Sequence, residues 1–348
     1  MIKEIVLILT RKCSLNCSYC CISGHYDDYI LKPDYYPSLK DINKNEKNFE
    51  FWKKGIEDAI KYNQDIKFVL TGGEVFNRQN LLISIINYFK SINFENYTIE
   101  SSLNEYVLES VNKFFNSVGT IPELRISVES GMENYSFFGY MTLEERRREY
   151  NSDEIYRSIT SYKNGLKFLK ENKIKKLSVN VMCDNKNISN LESTLKNLSK
   201  NNIYSYIRFV DYAKTGSYDF SSLNFPLNNI NKTENVEKLF NHLYKERENL
   251  KIENSEILLK EIDKKDQSRF PSNWDCNVED KNNFKAIGVD FDGRIRLCKN
   301  IRGRFSNKFS FDKIFVKNEK GEYNTLNELY EAIISDKEIL CNKCIDNY

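Results

Sequence analysis

Histidine is almost missing from this chain. There are two in 348 residues, His25 and His242, and neither follows a cysteine at the spacing of a zinc finger. Charge of one sign is lacking as well: 52 Lys and Arg against 50 Asp and Glu leave a net +2, so no field for a polyanion follows and no nucleic-acid partner is implied. No apolar run approaches the ~18 residues of a membrane span. Residues 1–10 have no signal-peptide layout and read as a strand. No short-period repeat or low-complexity tail is present, and the Lys/Asn/Ile/Tyr bias reads as genomic base composition. These absences point to a cytoplasmic protein with no membrane partner, long enough for one barrel-like domain and a smaller appendage.

What the chain does have is cysteine. The count is nine, an odd number, gathered into a C-x3-C-x2-C cluster and a C-x2-C pair. That pattern favours metal ligation in a reducing compartment over disulfides. Cys13, Cys17 and Cys20 fall on a short stretch just after the apolar run Ile5–Leu9. Thiolates suit zinc and iron–sulfur clusters. Three ligands leave one iron of a [4Fe-4S] cluster open to a non-protein ligand, whereas four close it. The alternative is a structural zinc knuckle, which needs a fourth Cys or His nearby; Cys21 shares a backbone step with Cys20 and is poorly placed to supply it.

Strand and helix patterns alternate along the first 210 residues. Strands are expected from residue 4 and at 66–70, 97–101, 124–128, 177–182 and 204–210, with helices at 46–62, 79–91, 105–116, 153–172 and 188–201. Such alternation implies parallel strands with crossover helices, and six units are too few for a closed eight-fold barrel. In such folds chemistry gathers at the carboxyl ends of the strands. The cysteine loop follows strand one, and Gly72-Gly73-Glu74 follows strand two. Two glycines allow close backbone approach, and a carboxylate accepts hydrogen bonds from an ammonium group.

The cysteine spacing, the aromatic Tyr19 before the third cysteine, and a GGE in second place together resemble the radical S-adenosylmethionine (radical SAM) superfamily. The resemblance implies an α/β fold, a partial (β/α)6 barrel. It also implies a [4Fe-4S] cluster with an open iron on Cys13, Cys17 and Cys20, and S-adenosylmethionine (SAM) bound to that iron. By the same resemblance Gly72, Gly73 and Glu74 hold the SAM amino group. Ser127 and Glu129 match a Ser–Asp pair after strand four, with Glu in place of Asp. Ser101-Ser102 occupies the place of a Thr-Asn pair after strand three, giving Ser102 as a contact. Tyr19 packs on the cofactor or in the core, and Asn180 faces the barrel mouth or satisfies buried backbone. Arg208 and Val210 end strand six near the expected adenine.

The carboxyl-terminal third repeats the thiolate theme. Cys276 precedes Gly288-Val289-Asp290-Phe291-Asp292-Gly293-Arg294-Ile295-Arg296-Leu297-Cys298, and Cys341-Asn342-Lys343-Cys344 follows. Asp292-Gly293 between two alternating runs predicts a β-hairpin, with a further helix at about 324–336. Cys276, Cys298, Cys341 and Cys344 can close one site, for zinc or for a cluster. The arrangement resembles the SPASM and twitch domains of radical SAM enzymes. It implies a twitch-like module with one auxiliary [4Fe-4S] cluster, since the sequence ends four residues after Cys344. The expected division is 1–215 barrel, 216–269 helical bridge (a helix at 232–262) and 270–348 twitch-like module. No peptide-recognition domain is expected ahead of a first strand at residue 4.

In the family's mechanism the reduced cluster cleaves SAM, and a 5′-deoxyadenosyl radical takes a hydrogen atom from the substrate. The expected activity is modification of a ribosomally made peptide by crosslink, thioether or epimerisation, with a flavodoxin- or ferredoxin-type electron donor. The alternatives are a dehydrogenase or epimerase of a small sugar-like molecule and, from another class, a non-catalytic metal or electron-transfer protein. Cys183, directly after strand five, either gives a hydrogen atom to a substrate radical or packs as a buried thiol.

Overall fold

The computed structural model describes residues 2–13, 44–131, 153–183, 188–209, 234–253, 286–296 and 305–332. Among them, one nine-stranded sheet organises everything else. Strand β1 (Glu4–Ile8) leads toward α1 (Phe49–Tyr62), which starts where the Asn48 side chain caps the Phe51 N–H. The next units are β2 (Lys67–Thr71) with α2 (Gln79–Ser91), and β3 (Tyr97–Ser101) with α3 (Leu108–Val118). Then come β4 (Ile121–Glu129) with α4 (Asp153–Lys170), β5 (Ile174–Cys183) with α5 (Leu191–Lys200), and β6 (Tyr204–Phe209). These six strands pair in parallel in chain order, as a (β/α)6 partial barrel requires.

Beyond β6 lies α6 (Glu234–Lys245). The helix expected over 232–262 is therefore shorter in its described part, because the chain turns after Lys245 and runs along the sheet edge. Ser205 and Ile252 form a parallel bridge, with the Ser205 N–H donating to the Lys251 carbonyl and the Glu253 N–H to that of Ser205. This covers the outer edge of β6, which would otherwise leave backbone groups unpaired.

The predicted hairpin forms, and it does something the sequence pattern does not show. Its first strand β7 (Ala286–Val289) pairs in parallel with β1, in the register Leu7 to Val289. Strands β8 (Arg294–Arg296) and β9 (Phe305–Ser310) then continue the sheet antiparallel. Gly293, at φ +84°, makes the turn, and a Cβ there would lie 2.3 Å from the Phe51 ring. A short helix, α7 (Phe311–Ile314), packs its Phe311 against Trp52 of α1, so closely to Gly55 that a side chain at 55 would collide with the ring. Residues 324–332 are helical, matching the described part of the helix expected there.

Strand alternation separates two faces. On β4, Leu124, Ile126 and Val128 enter the apolar core under the helices, where Ile126 and Leu177 meet Gly165 of α4. Glu123, Arg125, Ser127 and Glu129 fall on the opposite face, the barrel lumen. The lumen's amino-terminal half is a charged network. Glu123 accepts from Thr98 (2.8 Å) and Ser178 (2.5 Å) and pairs with Lys67 (3.1 Å) and Arg125 (3.3 Å). Arg125 reaches Glu100 at 3.0 Å and lies 4.0 Å over the Tyr206 ring.

Burial pushes the Glu123 carboxyl up, but Arg125, Ser178, Lys67 and Lys176 outweigh it and hold the group at about 2. A carboxylate depressed in the folded state contributes stability that is present above its unfolded value and lost as pH falls through the folded one. Glu123→Gln should therefore cost on the order of 3 kcal/mol at pH 7. The deficit should shrink between about pH 4.5 and pH 2, read from denaturant midpoints of the two proteins across that window.

Candidate active site at the carboxyl ends of the strands

Cys13 stands four residues past the last apolar residue of the β1 run, half-buried. The backbone just before it is held from two sides. On one side the GGE turn is pressed against it: the Gly73 N–H donates to the Thr10 carbonyl and the Glu74 N–H to that of Lys12, both at 2.8 Å. A Cβ on Gly72 would lie 2.5 Å from the Thr10 oxygen, and one on Gly73 2.5 Å from the Lys12 oxygen. The two glycines were expected to admit a ligand; the contact observed is with the root of the cysteine loop. On the other side Glu46 gathers the Thr10 hydroxyl (2.8 Å), Lys12 (3.5 Å) and Arg78 (2.9 Å).

Arg11 points away from these groups into the protein. Its guanidinium makes a two-pronged pair with Asp290, Nε to Oδ1 at 3.1 Å and Nη2 to Oδ2 at 2.5 Å. Both side chains are out of solvent, at 2% and 0% exposure. The pair joins the cysteine loop to the hairpin turn across 279 residues of sequence, and sequence reading missed it. The only available signal was a cation next to the loop and an acid at the hairpin turn, which is too common to single out.

Glu74 is 1% exposed. Its Oε1 accepts from the Ser101 hydroxyl (2.9 Å) and the Phe76 N–H (3.2 Å). Its Oε2 accepts from the Ser102 N–H (3.0 Å) and the Ser102 hydroxyl (2.5 Å). A carboxylate has about four acceptor sites, and here the protein fills them. A ligand ammonium reaches Glu74 only by displacing a serine hydroxyl. Burial pushes the Glu74 carboxyl up, with the Ser102, Phe76 and Ser101 hydrogen bonds opposing. Sequence reading placed this carboxylate but not its role as the tie between the ends of β2 and β3.

The remaining candidates sort by face. Ser127, Asn180 and Arg208 share the lumen face by alternation, Ser102 follows the end of β3, and Ser127 and Asn180 are register partners. Arg208 donates to the Asn180 side-chain oxygen at 3.4 Å. Glu129 is buried, its N–H bonded to the Ser158 hydroxyl. Cys183 lies on the other face with Val179 and Val181, at 0% exposure inside the apolar core; this is the packing position, turned from the lumen. Tyr19, Val210, Cys17, Cys20, Cys276, Cys298, Cys341 and Cys344 lie outside the described residues. Among the described residues no three His, Cys, Asp or Glu side chains form a metal-binding group, and no helix is long and apolar enough to cross a membrane.

A parallel partial barrel whose first strand leads to Cys13, with a GGE turn packed on residues 10–12, defines a class of cofactor-dependent enzymes. The family model described as the radical SAM superfamily matches residues 7–198, more than half of the chain, and the chain belongs to that superfamily. An uncharacterised protein of Methanocaldococcus jannaschii is 28% identical over 126 residues, 34% of this chain and 37% of its own length. Among solved structures, Streptococcus suis SuiB bound to the precursor peptide SuiA matches with TM-score 0.50 and 16% identity, over 96% of this chain and 67% of that one. The structure of anSMEcpe with bound S-adenosylmethionine and a peptide matches with TM-score 0.57 and 14% identity, over 96% of this chain and 84% of that one. At these identities the likeness is one of fold.

Superfamily membership implies a [4Fe-4S] cluster and SAM. The donor set fits: Cys13 is a thiol on a segment leaving the carboxyl end of the first strand, beside a lumen face that carries hydroxyl, amide and guanidinium groups.

Because each Glu74 oxygen accepts a backbone N–H, an amide in its place turns one acceptor into a donor facing a donor. Glu74→Gln should lose about 1–3 kcal/mol of stability in denaturant unfolding, although the two side chains are nearly the same size.

Proposed function

We propose that this chain modifies a ribosomally made peptide by radical SAM chemistry, introducing a crosslink or thioether or inverting a centre. The observation that carries the reading is the fold. It is shared over 96% of the chain with two proteins solved in complex with peptides, and that span takes in the carboxyl-terminal region as well as the barrel.

The work of the protein's own residues is placement. Cys13, with Cys17 and Cys20, would hold the cluster, and the contacts of residues 10–12 fix where that loop starts. Gly72, Gly73 and Glu74 would receive the amino end of SAM, with Ser102 giving up its hydroxyl bond to Glu74. Ser127, Glu129, Asn180 and Arg208 would line the remainder of the cofactor from β4, β5 and β6, together with Tyr19 and Val210. When bound, the reduced cluster and SAM supply a carbon radical able to take a hydrogen atom from an unactivated carbon. The barrel aligns that carbon and keeps water away. Cys276, Cys298, Cys341 and Cys344 would hold an auxiliary cluster that accepts the electron left after abstraction. That role favours a net oxidation and leaves Cys183 as a packing residue. Electrons would come from a flavodoxin- or ferredoxin-type donor.

After anaerobic reconstitution, two [4Fe-4S] clusters per chain are expected from iron and sulfide analysis. Replacing Cys13, Cys17 and Cys20 together by Ala should remove one cluster and all reductive cleavage of SAM. A triple variant that still releases 5′-deoxyadenosine would overturn the assignment of the first site, and zinc in place of the second cluster would remove the auxiliary claim alone.

The substrate reading is tested separately, with a short peptide encoded beside this chain, incubated with reductant and SAM. Mass spectrometry should find the peptide two hydrogens lighter, as a crosslink or thioether leaves it and an inverted centre does not, and Cys183→Ala should leave that yield within about twofold. Turnover of a sugar-like molecule with no change in the peptide would replace the peptide assignment.

A further inference from the structure

We propose that Asp290, in the carboxyl-terminal hairpin turn, is a positioning residue for the cluster loop, acting through Arg11. The inference rests on the assignment of Cys13 as a cluster ligand. Arg11 is two residues before Cys13, and its guanidinium plane is fixed by two parallel bonds to a carboxylate that no water reaches. Asp290 is itself locked. Its Oδ1 accepts the Phe291 N–H at 3.0 Å, its own N–H donates to the Arg294 carbonyl at 2.9 Å, and its carbonyl accepts the Gly293 N–H at 2.8 Å. The turn is anchored further by the Phe291 carbonyl, which accepts the Lys47 N–H at 3.1 Å. The Arg11 guanidinium also lies 5.8 Å from the Phe291 ring.

The geometry accounts for the pair better as placement than as general stability. A fully buried ion pair adds little net stability over an apolar pair of the same volume, because desolvation offsets the attraction. What it adds is direction, since the fork accepts the carboxylate in one orientation. The parallel pairing of β1 with β7 already brings the two chains together. The pair then carries that alignment beyond Ile8, where the β1 ladder has ended and where the route of the chain into the cysteine loop is decided.

Full-length chain carrying Asp290→Asn is compared with Ile295→Ala, a core substitution in the same hairpin that removes neither partner of the Arg11–Asp290 fork. In protein without iron, hydrogen exchange at the amides of residues 9–13 should speed up at least tenfold in Asp290→Asn, while β4 and β5 amides keep their protection. In reconstituted protein the dissociation constant for SAM should rise at least tenfold. Arg11→Met should match Asp290→Asn, and Arg11→Lys, which keeps the charge but not the fork, should fall between it and the unaltered chain. Ile295→Ala should leave both readouts within twofold even where its unfolding temperature falls as far. Unchanged exchange at residues 9–13 in Asp290→Asn overturns the proposal, as do equal losses in Ile295→Ala. If Asp290→Asn is not recovered folded, Arg11→Lys against Ile295→Ala decides by the same two readouts. An unaltered chain that binds no SAM sinks the functional reading alone, since the exchange comparison needs neither iron nor SAM.

Discussion

The interaction on which the site depends is the backbone contact between residues 10–12 and the GGE turn. A loop that supplies thiolates to one cluster has to leave the sheet from a fixed point, because a ligand displaced by an ångström is no longer a ligand. Here the fixed point is made from main chain, with two N–H groups of the turn donating to two carbonyls of the loop root. Contact that close requires glycine at 72 and 73, since any Cβ would enter the carbonyl oxygens. Glu74 holds the turn's far side by tying it to the end of β3. The motif is thus a structural joint before it is a binding site, and the same atoms would serve both purposes.

Burial makes the electrostatics of this barrel consequential. Its lumen carries Glu123, Arg125, Lys67 and Glu100 where a closed barrel would pack aliphatic layers. Each charge there is matched, so the amino-terminal half is a paired polar floor. The carboxyl-terminal half presents Ser127, Asn180 and Arg208, which are less densely bonded to one another. Among the described residues, that face therefore grades from densely paired groups at one end to more sparsely bonded ones at the end where residues 9–13 leave β1.

The elements most legible in the sequence were those set by local pattern. The six parallel strands, the five helices that follow the first five of them, and the Asp292-Gly293 hairpin were all readable from periodicity and turn chemistry. Strand β4 proved longer than expected at both ends, and its Glu-Leu-Arg-Ile-Ser-Val-Glu alternation already announced a polar inner face. Cys183 was legible by the same counting: parity with Val179 and Val181 puts it under the helices, whereas its position at a strand's end suggested the mouth. What could not be read were pairings between distant segments. Nothing local in Arg11 or Asp290 marks them as partners, and nothing in Ala286–Val289 says which strand it will join, because both follow from the closure of the whole chain.

That closure also explains why the carboxyl-terminal hairpin sits where it does. Without β7, the strand that delivers Cys13 would be the edge of the parallel sheet, with one row of N–H and C=O groups unpaired and free to fray. Pairing with β7 makes β1 an interior strand, bonded on both sides over nearly its whole length. The expected boundary near residue 270 marks a change in sequence pattern, yet the sheet runs through it without a break. A hairpin that completes the first strand, and then reaches past it through Asp290 to Arg11, belongs to the platform under residues 10–13 as much as β2 does. The chain segment that leads on to Cys298 therefore starts from the same rigid ladder as the segment that leads to Cys13.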